Sequence, residues 1–250
     1  IFTNEGKLPL EIKGNKLTNT DININIPSAQ IKSGVIFAAI NTLGLTKITE
    51  NFVTRNHTEI MLSSFGADLE ITNDGPKTII KINGCKELKS KNIDVPSDLS
   101  SCAFFIVATL INKNSNIILR NINVNPTRNG ILIALEKMGA KISYFNKRKS
   151  NNENVCDIEV FSSELNGCEL DSSIAKLMID EYPILSIAAS FAKSPSIFRG
   201  LSELRVKESD RLSLIDLNLK RCGIESKVIG DDLYINPIDN NVKSNITIKQ

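Results

Sequence analysis

Three stretches of the chain share one pattern of apolar and polar positions. Each opens on an arginine, continues with apolar residues at helical spacing, and closes on a glycine: Arg55 to Gly66, Arg128 to Gly139 and Arg211 to Gly223. The spacing predicts three amphipathic helices, each with glycine where a C-cap belongs. A β-like segment follows each, at 68–71, 141–144 and 225–228. In the first, Asn56 with Glu59 three residues later reads as a capping box. In the second, Asn125-Pro126 supplies an N-cap and a proline at the first helical position. An earlier helix precedes each of the three, starting at Pro27-Ser28, at Pro96-Ser97-Asp98 and at Asp180 to Pro183. Its small residues, Ala38-Ala39, Ala103 to Ala108 and Ala188-Ala189, predict close helix packing. Strands are expected between the paired helices at 46–49, 116–119 and 196–199.

The unit is therefore helix, strand, helix, strand, repeated at about 73 to 84 residues, which is too long for a common solenoid and suits repeated α/β units. Asp94 to Asp98 reads as a crossover after the lysine-rich Lys86 to Lys91. The charged, aperiodic run Lys147 to Asn154 reads as a surface loop. Residues 1–95 are expected to belong to one domain and 96–250 to another.

Composition removes several function classes. At 250 residues, with 41% hydrophobic and 23% charged residues, the chain is ordinary globular protein. A formal charge of +2 is too mild to announce a nucleic-acid or membrane partner. The longest apolar run, Ala103 to Ile111, is half a membrane span, and no signal peptide is visible at Ile1. Cys85, Cys102, Cys156, Cys168 and Cys222 are too widely spaced for a zinc or redox motif and read as reduced cytosolic thiols. A lone histidine, His57, argues against a metal centre or a Ser-His-Asp triad and more simply packs or bonds locally.

The residues that carry chemistry stand at helix starts. Ser28-Ala29-Gln30 offers a capping hydroxyl, an amide and free backbone N–H groups, an anion site as well as a plain capped turn. Thr54-Arg55 brings a bidentate guanidinium to another helix start, suited to phosphate or carboxylate, or to a surface ion pair. Asp180, set among apolar residues, is either an N-cap or a proton acceptor. Glu203 to Arg211 is either a solvated charge run or the opening of the third repeat. In the latter case Lys207, Glu208 and Arg211 gather a cation, an acid and a guanidinium at one end of the layer.

Ser28-Ala29-Gln30, Thr54 to Glu59, Asp98 to Ser101, Asn125 to Arg128, Ile179-Asp180-Glu181 and Arg205 to Arg211 occur in order. Together they resemble the 5-enolpyruvylshikimate-3-phosphate synthases, from about Leu8 to about Ile248. The Ser-Ala-Gln form is similar to the bacterial branch that includes glyphosate-tolerant members.

That resemblance implies an α/β fold (α+β by some schemes): an inside-out α-β barrel of repeated βαβαββ units in two domains. Helices lie inside and sheets outside, and helix N-termini face an interdomain cleft. It implies transfer of the enolpyruvyl group of phosphoenolpyruvate to the 5-hydroxyl of shikimate 3-phosphate with release of phosphate. No cofactor and no metal is implied, and the setting is a cytoplasmic enzyme that is monomeric at full length. By motif, Ser28, Ala29, Gln30 and Arg55 would hold shikimate 3-phosphate, with Gln30 also near phosphoenolpyruvate. Asp180 would take the 5-hydroxyl proton, Lys207 would bridge the substrates, and Arg211 would grip phosphoenolpyruvate. Glu208 would protonate its methylene carbon and later remove a proton in the elimination. Lys207 beside Glu208 would lower that acid's pKa and burial among anions would raise it, a balance the residues alone leave open.

Family members are much longer, so the chain is expected to be the central portion of such an enzyme, inactive by itself. Competing readings are a fragment that only binds anions and UDP-N-acetylglucosamine enolpyruvyl transferase, whose reactive cysteine loop has no match here.

Overall fold

In a computed structural model, the described residues are 2–75 and 77–238; the last part of the expected second domain, 239–250, lies outside them. The chain divides into two compact units between Lys91 and Asn92.

The first unit opens with a hairpin, β1 (Phe2–Asn4) and β2 (Lys7–Glu11). Then follow β3 (Asp21–Ile24), α1 (Ala29–Ile40), β4 (Gly44–Glu50), α2 (His57–Ser64), β5 (Leu69–Asp74) and β6 (Lys77–Gly84). The sheet order is β3-β4-β6-β5. β3 and β4 are parallel, joined through α1, and the other two pairings are antiparallel. Ile24, Ile36, Ile48, Leu62, Ile80 and Ile82 form the core beneath the helices.

The second unit carries the same plan twice. It begins with α3 (Leu99–Ile111), β7 (Asn116–Asn123), α4 (Gly130–Lys137), β8 (Lys141–Ser150) and β9 (Glu153–Phe161). Next come β10 (Glu169–Leu170), α5 (Ser172–Ala175), α6 (Tyr182–Ser190), β11 (Ser196–Phe198), α7 (Arg211–Arg221), β12 (Ser226–Ile229) and β13 (Asp232–Ile235). The order β10-β11-β13-β12 reproduces β3-β4-β6-β5, again with a parallel first pair. The middle copy, β7-β9-β8, lacks a full first strand and keeps in its place a parallel bridge, Ser97 to Ile122. The repeat read from the sequence is thus present as three sheets of one topology. The glycines that end its helices, Gly66, Gly139 and Gly223, all have positive φ, at 84°, 90° and 81°, the conformation that stops a helix at least cost in glycine.

Four local expectations are corrected. Lys147 to Asn154 is not a loop: Arg148 pairs with Val155, Lys149 with Asn154 and Ser150 with Glu153 in an antiparallel hairpin. Asn151 and Asn152, at φ 47° and 70°, form its tip, the conformation a tight two-residue hairpin turn needs. Backbone pairing and that turn make the strand without apolar alternation, so a polarity reading misses it. Asn125 does not cap α4. Its side-chain oxygen accepts from the backbone N–H of Thr127 at 2.9 Å, closing a local turn that competes with helix, and α4 starts at Gly130 after Asn129. Asn56 precedes α2 but makes no side-chain capping bond, and Glu59 turns inward to an ion pair with Lys32 at 2.9 Å. Asp180 sits in a 3-10 turn, Ile179–Glu181, ahead of α6 and is not its N-cap. No helix among the described residues is long and apolar enough to cross a membrane.

Candidate active site

A parallel β-α-β step places the loops after both strands at the same sheet edge, where ligands commonly bind in open α/β sheets. In the first unit Ile24 aligns with Glu50 at the ends of β3 and β4. The segments that follow, Ser28-Ala29-Gln30 and Thr54-Arg55, therefore leave the sheet side by side. Asn51 donates to Asn25 at 2.7 Å across the two exits. Ser28 is the N-cap of α1, its hydroxyl accepting from the Ile31 N–H at 3.4 Å. Ala29 and Gln30 form the first turn, with Gln30 exposed and Ser28 and Ala29 half-buried; Arg55 is also half-buried.

Lys32, one turn into α1, is 1% exposed. Its ammonium lies 3.1 Å from Glu50 and 2.9 Å from Glu59 and donates to the Thr54 carbonyl at 3.5 Å. The Thr54 hydroxyl donates to the other oxygen of Glu50. Sequence reasoning assigned Lys32 and Glu50 no role and gave Glu59 a capping one. The available signal was spacing: Lys32, Ile36 and Ala39 fall at i, i+4 and i+7, which puts a charge in the apolar stripe.

In the second unit the corresponding strand exits gather four expected residues. Asp180 precedes α6, and Lys207, Glu208 and Arg211 join the 3-10 segment Ser202–Val206 to α7. Asp210 starts α7 by accepting from the Ser213 N–H at 3.0 Å. Arg205 fastens the segment to Asp231 at 2.9 Å and to Asp210 at 3.1 Å, so its role is structural. Arg211 grips two carboxylates with different nitrogens. Nη1 donates to Asp180 at 3.1 Å, while Nε and Nη2 donate to the two oxygens of Glu208 at 2.7 and 2.8 Å. Lys207 lies 3.8 Å from Asp180 and 3.1 Å from Glu203. The Arg211 fork holds the Glu208 carboxyl below its ordinary value, with help from Lys207, which decides the open balance toward the ionised acid in the free site. The charge run is thus a folded cluster and not a uniformly solvated face.

The middle repeat makes the equivalent pairing. Arg128 donates to the Ser100 hydroxyl at 2.7 Å and lies 3.0 Å from Asp98, the N-cap of α3. Among the described residues, no group of three His, Cys, Asp or Glu side chains is placed to hold a metal ion.

The sequence matches the family model for EPSP synthase (3-phosphoshikimate 1-carboxyvinyltransferase) over residues 1–247. The chain belongs to the EPSP synthase family. The 3-phosphoshikimate 1-carboxyvinyltransferase of Chelativorans sp. (strain BNC1) is 47% identical over 233 residues, covering 92% of this chain and 51% of that protein. The one from Pseudomonas sp. (strain PG2982) is 45% identical, covering 88% and 49%. The EPSP synthase structure from Acinetobacter baumannii superposes with a TM-score of 0.81 at 37% identity, over 90% of this chain and 50% of that one. The enolpyruvyl transferase NikO of Streptomyces tendae, at 16% identity and TM-score 0.63 over 87% of this chain and 51% of that one, shares the fold. The chain spans about half the length of the EPSP synthase relatives it matches.

Proposed function

We propose that this chain supplies part of each of the two substrate-handling domains of a 3-phosphoshikimate 1-carboxyvinyltransferase in the shikimate route to aromatic amino acids. In this reading the enolpyruvyl group of phosphoenolpyruvate moves to the 5-hydroxyl of shikimate 3-phosphate and phosphate leaves. The observation that carries it is the cluster of Asp180, Lys207, Glu208 and Arg211 in a member of this family. The addition takes a proton from a hydroxyl and delivers one to the methylene carbon, at opposite ends of the forming bond. One carboxylate cannot reach both positions. Two carboxylates on different nitrogens of one guanidinium suit that division.

Asp180 accepts the 5-hydroxyl proton and Lys207, beside it, bridges the substrates. Arg211 binds phosphoenolpyruvate. Glu208 protonates the methylene carbon to a methyl group, then takes a proton back from it as phosphate departs. Ser28, Ala29, Gln30 and Arg55 in the first unit hold shikimate 3-phosphate, with Gln30 also contacting phosphoenolpyruvate. The capped α1 N-terminus supports this, because its backbone N–H groups and dipole favour a phosphate. Residues 1–95 serve as the C-terminal part of the first domain and 96–250 as the larger part of the second, in an inside-out barrel of a cytoplasmic enzyme that is a monomer at full length.

The test is exchange of the phosphoenolpyruvate methylene protons with solvent deuterium, in the complete gene product with shikimate 3-phosphate present. Glu208→Gln abolishes the exchange while shikimate 3-phosphate still binds. Exchange at the wild-type rate in that variant sinks the assignment of Glu208.

A further inference from the structure

The buried charges of the first unit have no part in the chemistry above. Lys32, Glu50 and Glu59 are each 1% exposed, set beside a core of isoleucine and leucine. Burying an ammonium with two carboxylates costs desolvation that apolar side chains of similar volume avoid, so such clusters contribute little net stability. What they supply here is direction. The ammonium has three donors, and three acceptors surround it: Glu50 at the end of β4, the Thr54 carbonyl in the following loop, and Glu59 in the first turn of α2. The same lysine belongs to α1, where its backbone N–H bonds the Ser28 carbonyl at 3.1 Å.

One side chain thus joins the turn that bears Ser28 and Gln30 to the loop and helix start that flank Arg55. The Thr54 hydroxyl on Glu50 adds a second hold on the residue next to Arg55. Apolar replacements could fill the volume but would remove the ammonium's three contacts to β4, the loop and α2, while the hydroxyl contact of Ser33 with Thr58 at 2.6 Å would remain between α1 and α2. The joined segments are those assigned to shikimate 3-phosphate, whose phosphate must meet groups from both at once, a geometry sensitive to shifts on the order of 1 Å.

We propose that Lys32, Glu50 and Glu59 are positioning residues that hold Arg55 in register with the Ser28–Gln30 turn and so set affinity for shikimate 3-phosphate. The inference rests on the proposed function. Its test is the triple variant Lys32→Met/Glu50→Leu/Glu59→Leu in the complete gene product, compared with the wild type by calorimetry, thermal melting and steady-state kinetics.

The variant is expected to melt no lower than the wild type and to bind shikimate 3-phosphate at least about tenfold more weakly. The KM for phosphoenolpyruvate, and kcat at saturating shikimate 3-phosphate, should stay within about threefold of the wild type. A purely structural cluster would give the opposite split, with lower stability and intact affinity in the folded fraction. Glu59→Gln, which keeps an acceptor for the ammonium, should retain affinity to within about threefold.

Should the triple variant fail to fold, Thr54→Val removes the hydroxyl link alone and is expected to weaken binding by about threefold or more. Wild-type affinity in the folded triple variant, or in Thr54→Val, overturns the positioning role. Absence of shikimate 3-phosphate binding in the wild type overturns the proposed function itself, and the two failures are thereby distinct.

Discussion

Replacing Asp180 by asparagine separates catalysis from stability, because the structure sets different scales for the two losses. Asn keeps the shape of the side chain and removes its charge and its basicity. Asp180 stands 3.1 Å from Arg211 and 3.8 Å from Lys207. At such distances a pair of unit charges is worth about 1 kcal/mol in a water-like dielectric, and several times more at the effective dielectric of a protein surface. The aspartate side chain is 33% exposed and the two cations 26% and 23%, so solvent screening keeps each pair near the lower figure. Ion pairs this accessible typically contribute about 0–1 kcal/mol. Nor does the substitution strand a cation: Arg211 retains Glu208, and Lys207 retains Glu203. A stability loss on the order of 1 kcal/mol follows, a drop of a few degrees in Tm. Losing the positioned base that receives the 5-hydroxyl proton costs about 10²–10⁴ in rate, roughly 2.7–5.4 kcal/mol of barrier. Steady-state phosphate release and a thermal melt on the same preparation of the complete gene product give both numbers. A kcat within tenfold of the wild type, or a loss that tracks the unfolded fraction, refutes the assignment of Asp180 as the base.

Three further outcomes are expected. Arg211→Gln removes the fork that depresses Glu208, so the carboxyl titration, followed by carbon-13 NMR, should move up toward its ordinary value of 4.5; an unmoved titration would show that the fork is not the cause. In the parent, the stabilisation linked to Glu208 is complete above that ordinary value and disappears as pH falls through the depressed folded one, so the variant should lose this part of the acid dependence. Gly84→Ala places a methyl carbon 1.9 Å from the Thr42 carbonyl oxygen and 2.4 Å from that of Ala39, both backbone atoms at the end of α1. A loss of about 2–3 kcal/mol or more in urea unfolding is expected, and a change below about 0.5 kcal/mol would contradict the close approach. Ser28→Ala should cost about 0.5–1 kcal/mol through the lost cap and also weaken shikimate 3-phosphate binding by calorimetry; unchanged binding would remove Ser28 from that site.

The elements most readable in the sequence were those with a local cause. Ser28 and Asp98 cap their helices through their own side chains, and Gly66, Gly139 and Gly223 end theirs at positive φ, so a few adjacent residues sufficed. The repeat was readable because three copies of such signals recur in order. Where distant partners decide, local reading failed. Glu59 has the spacing of a capping residue, but Lys32, 27 positions earlier, draws it inside. The polar strand 147–150 is made by pairing with β9, and its Asn151-Asn152 tip was the one local clue. The grouping of Asp180 with Arg211 was suggested by motif order, but the double grip of Arg211 depends on how α6 and the segment before α7 leave one sheet, which no short window of residues contains.

That double grip bears on how the proposed chemistry is timed. Arg211 cannot give its full fork to Glu208 and also present it to an incoming anion. An anionic substrate that claims the guanidinium must therefore displace one of the two carboxylates. Asp180 is the more confined of the two, its side chain 33% exposed against 67% for Glu208, and it is also held near Lys207. Glu208 can turn into solvent and regain hydration, so the fork to Glu208 is the contact that yields. Once released, Glu208 loses the principal influence that kept it ionised and gains a negative neighbour, and both changes raise its affinity for a proton. In the free site Glu208 is a ligand for Arg211 and its pKa is held below the ordinary value; in the proposed chemistry, an anion that engages Arg211 lifts that restraint. In that proposed chemistry the arrival of phosphoenolpyruvate thus frees Glu208 from Arg211 for the proton it is to deliver, while Asp180 stays 3.8 Å from Lys207.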